Sequence, residues 1–272
     1  MSKLARRIAC VYALLFTLLV WGSWALLVNT REGQFIDDAA FKGSYWGAAR
    51  IDDQARALLN AVSVPLIVVA IIATLAIALL RRRPRAALWA TAVVVGTNVT
   101  IQALKHFVFT RPDWGYSQRV DAANTLPSGH TGVAASIAVA LLLVVPPAWR
   151  VIAAWVGAGF TFFMGWSTLV CQWHRPSDII AAAAVAFTWG FVALAAGAWG
   201  TDEYRGLPGS KLARYLLGGY LSLALVVMLA SAAYRNFYLF GSLQFTAYLV
   251  GVGGFGAVSA LGMSRLVKLG LK

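Results

Sequence analysis

Apolar stretches long enough to cross a bilayer recur along this chain, separated by short polar connections. A helical crossing takes about 20 apolar residues. Eight stretches approach that length: Ile8–Val28, Leu58–Leu80, Ala86–Leu104, Gly129–Val145, Val151–Val170, Ile179–Trp199, Tyr215–Ala233 and Leu243–Met263. Inside lipid every backbone group must be paired within its own segment, so each stretch reads as a helix. The fourth is the shortest, and Pro146-Pro147 ends it. The pattern predicts an all-α polytopic membrane bundle of about eight transmembrane helices. No Ser/Gly/Pro linker, low-complexity tract or fixed-period repeat divides the chain. We therefore expect a single integral membrane domain over residues 1–272, with residues 214–263 forming two additional C-terminal helices.

Composition supports this class. Only 12% of the residues are charged and 60% are hydrophobic, against roughly 25% charged in soluble domains. The mean hydropathy is +0.72.

The polar positions orient the bundle. Eight spans put both termini on one side, together with Arg81, Arg82, Arg83, Arg85, Arg150 and Arg214. That side has Asp202 and Glu203 as its only acids. The opposite side mixes nine Lys/Arg with eight Asp/Glu. The positive-inside rule then predicts that both termini are cytoplasmic. The formal charge of +13 belongs mostly to residues flanking apolar spans, where topology signals and anionic-lipid contacts lie. No soluble domain offers itself for nucleic acid, so nucleic-acid binding is excluded.

Lys3, Arg6 and Arg7 precede the first apolar run, as in a signal peptide. The run is longer than the 7–15 residues of a typical signal core, and we read it as a retained first helix. Cys10 and Cys171 fall at opposite ends of their spans, about a bilayer apart, too far for a disulfide. The outer segment from Asn29 to Ala57 carries Phe35, Phe41, Tyr45 and Trp46. It reads as an interfacial segment with aromatic anchors, in preference to a lid for a lipid head group.

Three short patterns carry the chemistry, and all fall on the predicted outer side. In the first, Asn98, Gln102 and Lys105 share one helical face. Polar groups in a span face the protein interior, so this face should deliver Lys105 to the outer end of the bundle. Arg111-Pro112 comes next. A planar guanidinium grips two phosphate oxygens and stays charged at any working pH.

The second pattern is Pro127-Ser128-Gly129-His130. Ser128 is a plausible N-cap, and Gly129 lets a ligand approach the backbone. Free N–H groups and the helix dipole favour an anion there, with His130 beside it as a proton donor.

The third is His174-Arg175-Pro176-Ser177-Asp178. Pro176 suits a first helical turn, and a spacing of four brings the carboxylate to the imidazole if the turn is helical. The carboxylate would fix the tautomer and leave the other ring nitrogen free to attack.

With these patterns together the chain resembles the type 2 phosphatidic acid phosphatase superfamily, membrane lipid phosphatases related in fold to vanadium haloperoxidases. The resemblance runs from Lys105 to Asp178, and no single pattern would carry it alone. It implies that His174 is the nucleophile and forms a phosphohistidine, that Asp178 orients it, and that His130 is the general acid and then the base. It implies phosphate binding by Lys105, Arg111, Ser128 and the Gly129 amide, and no metal or other cofactor. Two positions depart from the family pattern. Five residues rather than six separate Lys105 from Arg111. Thr168 stands where the family has an arginine, and a neutral hydroxyl does not replace a bidentate charge. Arg175 is the candidate substitute ligand.

The expected activity is hydrolysis of a lipid phosphate or polyprenyl (di)phosphate at the extracytoplasmic face of a cell membrane, with a slight lean to the isoprenoid class. The Ala/Val/Gly/Arg-rich usage has a bacterial look. A phosphotransferase acting on a lipid or sugar acceptor is the alternative, ahead of a catalytically impaired transporter or scaffold. Gly251-x-Gly253-x-x-Gly256 fits a dinucleotide fingerprint by letter, but it lies in an apolar span without a strand–turn–helix unit. It reads as close helix packing. The sequence leaves the oligomeric state open.

Overall fold

A computed structural model of the chain describes residues 2–45, 53–57, 59–60, 64–116, 124–199 and 243–270. Among them all regular structure is helical. Helix α1 (Lys3–Gly22) starts where Ser2 Oγ accepts the Ala5 N–H at 3.1 Å, and continues as a π-helical stretch, Ser23–Val28. Helix α2 (Arg31–Gly43) is capped by Thr30, whose hydroxyl accepts from Gly33 N at 3.0 Å. Helix α3 (Val64–Leu80) precedes α4 (Pro84–Ala103), which opens on proline and ends in a π-helical turn, Leu104–Val108. Helices α5 (Gly129–Val144), α6 (Arg150–Val170), α7 (Pro176–Ala195) and α8 (Leu243–Gly270) complete the set.

Helix α7 occupies the centre and packs against α1, α4, α5 and α8. Its sequence explains that position: it is alanine-rich and apolar on every side, as a helix surrounded by protein must be. Phe187 and Phe191 project from it onto Phe16 of α1, with ring centroids 5.3 and 5.5 Å away. The outer surface is also apolar. Leu14 and Leu18 of α1, Val69 and Ile72 of α3, Val99 of α4 and Phe163 of α6 are all exposed. In water such a surface would far exceed the apolar patches monomers tolerate; lipid is its natural solvent.

Five helical stretches are long and apolar enough to cross a membrane: Lys3–Val28, Pro84–Val108, Pro147–Val170, Pro176–Ala195 and Leu243–Leu269. Two shorter apolar helices, Val68–Leu80 and Gly129–Val144, match expected spans. At 1.5 Å per residue, the 16 residues of α5 reach about 24 Å. That is short of the roughly 30 Å hydrocarbon layer, but α5 is almost wholly buried inside the bundle and meets protein rather than lipid. The expected Tyr215–Ala233 span lies outside the described residues.

Two local expectations change. The segment after the first span is helical over Arg31–Gly43, helix α2, and packs against α7 and α8. The polar face of α4 does not point inward as a unit. Gln102 is exposed and within 3.1 Å of His106 Nε2, and Asn98 donates back to Val94 O at 2.8 Å. Asn98 and Gln102 precede the π-helical turn in which Lys105 lies. An extra residue in the turn rotates the side chains beyond it, so Lys105 does not share the direction of Gln102 and is half-buried.

Candidate active site

Asp178 is the hub where the three sequence patterns meet. As the third residue of α7, its side chain reaches back to the Arg175 N–H at 3.0 Å and closes the first turn. The same oxygen, Oδ2, lies 3.2 Å from His174 Nδ1 and accepts the Thr125 hydroxyl at 2.7 Å. Oδ1 accepts from the Arg111 guanidinium at 3.2 Å. A carboxylate is acceptor-only, so the imidazole nitrogen that faces it, Nδ1, is the donor of this pair. Asp178 is fully buried, and burial of an ion is tolerated only where partners surround it.

The second pattern is latched to the third through the backbone: Ser128 N donates to Asp178 O at 2.9 Å. Ser128 caps α5, its hydroxyl accepting from Thr131 N at 3.4 Å. A Cβ added at Gly129 would meet nothing within 4 Å, so there is open space beside the first backbone amides of α5. His130 stands on this turn, its ring 5.4 Å from Trp173. It lies within electrostatic reach of both His174 and Lys105.

Lys105 in turn feels the charge of Asp178. Its segment is tied to the second pattern by Asn124, whose amide donates to Lys105 O, Phe109 O and Leu126 O at 3.2, 2.8 and 3.2 Å. Arg111 is fixed from two sides. Trp24 stacks on Phe109 at 5.3 Å and donates to Thr110 O at 2.9 Å. Buried Gln34 of α2 donates to Pro112 O at 2.6 Å.

Helix α2 adds two buried carboxylates that sequence reasoning missed. Asp37 accepts the Ser177 N–H at 3.0 Å and the Ser177 hydroxyl at 2.6 Å, and lies 3.9 Å from Arg111. Asp38 pairs with Arg175 at 3.1 Å and with Lys42 at 2.8 Å. The Arg175 guanidinium also sits 4.9 Å above the Phe41 ring. Both aspartates fall in the segment that reads as interfacial, and only the period of α2, which turns both inward, reveals them. Thr168 is fully buried and bonds back to Gly165 O at 2.7 Å. Its carbonyl accepts from Trp173 and His174 N–H groups at 2.8 and 3.2 Å, so it shapes the backbone leading into His174. Among the described residues no group of His, Cys, Asp and Glu is arranged to hold a metal ion.

All eight expected site residues therefore lie at one end of the bundle, on the C-terminal end of α4, the N-terminal ends of α5 and α7, and the loops that join them. The PAP2 superfamily model matches residues 57–201, more than half of the chain and all three patterns. The chain belongs to the PAP2 superfamily. No curated protein and no solved structure matches it. PAP2 members are generally phosphatases, so the activity class is hydrolysis of phosphate esters, carried out by a membrane protein. The PAP2 match leaves out α1, α2 and α8, and with them Asp37 and Asp38.

Proposed function

We propose that this PAP2 protein is a lipid phosphatase that cleaves a lipid phosphate or polyprenyl (di)phosphate at the extracytoplasmic face, through a phosphohistidine at His174. The observation that carries this is the His174–Asp178 pair at 3.2 Å, with a second imidazole, His130, within its field.

The Nε2 lone pair of His174 attacks phosphorus as the bond to the leaving oxygen breaks. His130 gives that oxygen its proton. The neutralised His130 then takes a proton from water, the hydroxide attacks phosphorus, and the P–N bond breaks to restore His174. Charge on the equatorial oxygens is met by Lys105, Arg111, Ser128 and the Gly129 amide; fixed donors of this kind are worth most where charge develops. Arg175 contributes its charge to the site while Asp38 holds its guanidinium.

The outward orientation rests on the distribution of basic residues. The apolar tail of the substrate lies between helices, which keeps its phosphate at the level of the site. The test is phosphate release by the purified protein from a panel of lipid phosphates and diphosphates, without added metal, beside His174→Ala. Release that depends on His174 supports the reading. Release that His174→Ala leaves unchanged contradicts it, and a labelled lipid or sugar acceptor in place of free phosphate identifies a transferase.

A further inference from the structure

Thr168 is fully buried, its hydroxyl donates back to Gly165 O at 2.7 Å, and it adds no charge to the site. Helix α2 adds carboxylates to the same place. Lys42, Lys105, Arg111 and Arg175 face Asp37, Asp38 and Asp178, a surplus of one positive charge when all are ionised, which a phosphoryl dianion exceeds. A phosphoryl group brings one or two further negative charges into a buried setting, where an uncompensated charge is costly.

We propose that Asp37 is the proton-linked counter-ion of the phosphate site: it balances Arg111 when no anion is bound, and takes up a proton when a phosphoryl oxyanion binds. This rests on the reading of Arg111 as a phosphate ligand. The three carboxylates differ in what holds them ionised. Asp178 accepts from Arg111, Thr125 and Arg175 N and faces His174. Asp38 has two cations, Arg175 and Lys42, at 3.1 and 2.8 Å. Among the described residues Asp37 has one guanidinium, at 3.9 Å, and hydrogen bonds from Ser177. It is the least stabilised as an anion, and a third negative charge at Arg111 repels it most easily. Its carboxyl already lies high, at about 6, chiefly from burial and then from the charge of Asp178. Ser177 suits the change, because a hydroxyl that donates to a carboxylate can turn and accept from the protonated form. No other charged side chain faces Asp37 from α2, α7 or the Arg111 loop among the described contacts.

Sulfate is a suitable probe, a tetrahedral dianion that does not itself titrate near neutral pH. Its binding to the full-length protein in detergent is measured calorimetrically in buffers of different ionisation enthalpy, which counts protons taken up. Imidazoles also take up protons beside an anion, so the comparison is made with His130→Asn and His174→Asn combined. In that background about one proton should accompany each sulfate near pH 7, and affinity should fall as pH rises. Adding Asp37→Asn should abolish the uptake and flatten the pH dependence while sulfate still binds. Uptake unchanged by Asp37→Asn overturns the inference and leaves the phosphatase reading standing. Absence of sulfate binding in the parent and in both variants counts against the inference and against Arg111 as an anion ligand, whereas phosphate release tests His174 separately. If Asp37→Asn does not fold, Ser177→Ala replaces it. Loss of that donor should move the midpoint of uptake to higher pH, and an unmoved midpoint overturns the inference.

Discussion

Ser177 gives both its backbone N–H and its hydroxyl to Asp37, at 3.0 and 2.6 Å, so a residue of α2 caps the helix that carries Asp178. The segment before the family match therefore helps to fix the first turn of α7. Burial raises the Asp37 carboxyl to about 6, and the charge of Asp178 adds to this against Arg111 and Ser177. A raised value means that the folded chain holds the proton more tightly than the unfolded chain. The associated stability is full below the ordinary carboxylate value and is lost as pH rises through about 6. Denaturation midpoints should fall across that window in the parent protein. Asp37→Asn should remove this component of the slope.

Asp38 makes a different demand. It holds Arg175, which is buried over Phe41. Removing one partner of a buried pair typically costs about 3–5 kcal/mol. Asp38→Ala should lower stability by that order in chemical or thermal denaturation, and Lys42→Ala, at the exposed side of the same carboxylate, by much less. Equal effects of the two would contradict the assignment of Arg175 as the buried partner that matters.

Asp178→Asn should leave the helices in place and lower turnover by roughly 10⁴-fold, the scale seen when the orienting carboxylate of a catalytic histidine is made neutral. Substrate affinity should change far less. The measurement is single-turnover phosphate release with circular dichroism as the control for folding. A variant within tenfold of the parent would remove Asp178 from the role given to it.

Gly251 of α8 touches the first turn of α7 through packing alone. A Cβ there would lie 2.6 Å from Pro176 Cγ and 2.9 Å from its Cβ, closer than real contacts allow. Gly251→Ala should push the start of α7, at a cost of about 1–3 kcal/mol, and lower turnover together with stability. Gly159→Ala is the control, because nothing lies within 4 Å of its added Cβ.

Much of this is legible in the sequence because the relevant signals are local. Apolar length locates the spans, and Ser128 and Pro176 mark the two helix starts on which His130 and Asp178 sit. The spacing of His174 and Asp178 implies their contact, since one helical turn is enough to make it. Other features depend on long-range packing. Asp37 and Asp38 lie more than a hundred residues from Ser177 and Arg175, and their polar, aromatic surroundings read equally well as a surface segment. The direction of Lys105 depends on a π-helical turn, which leaves no mark in a 3.6-residue period. From sequence the packing positions of this span are Gly253 and Gly256; the contact of Gly251 with Pro176 is visible only once α8 is laid against α7.

The central claim is that His174 carries the phosphoryl group. Rapid acid- or base-quench of the purified protein with a radiolabelled lipid phosphate, with peptide mapping afterwards, tests it most directly. A base-stable, acid-labile adduct is expected on the peptide containing His174, absent in His174→Ala and accumulating in His130→Ala when a good leaving group makes the first step independent of acid. Steady phosphate release with no adduct at His174 under any quench, or an adduct on another residue, would contradict it.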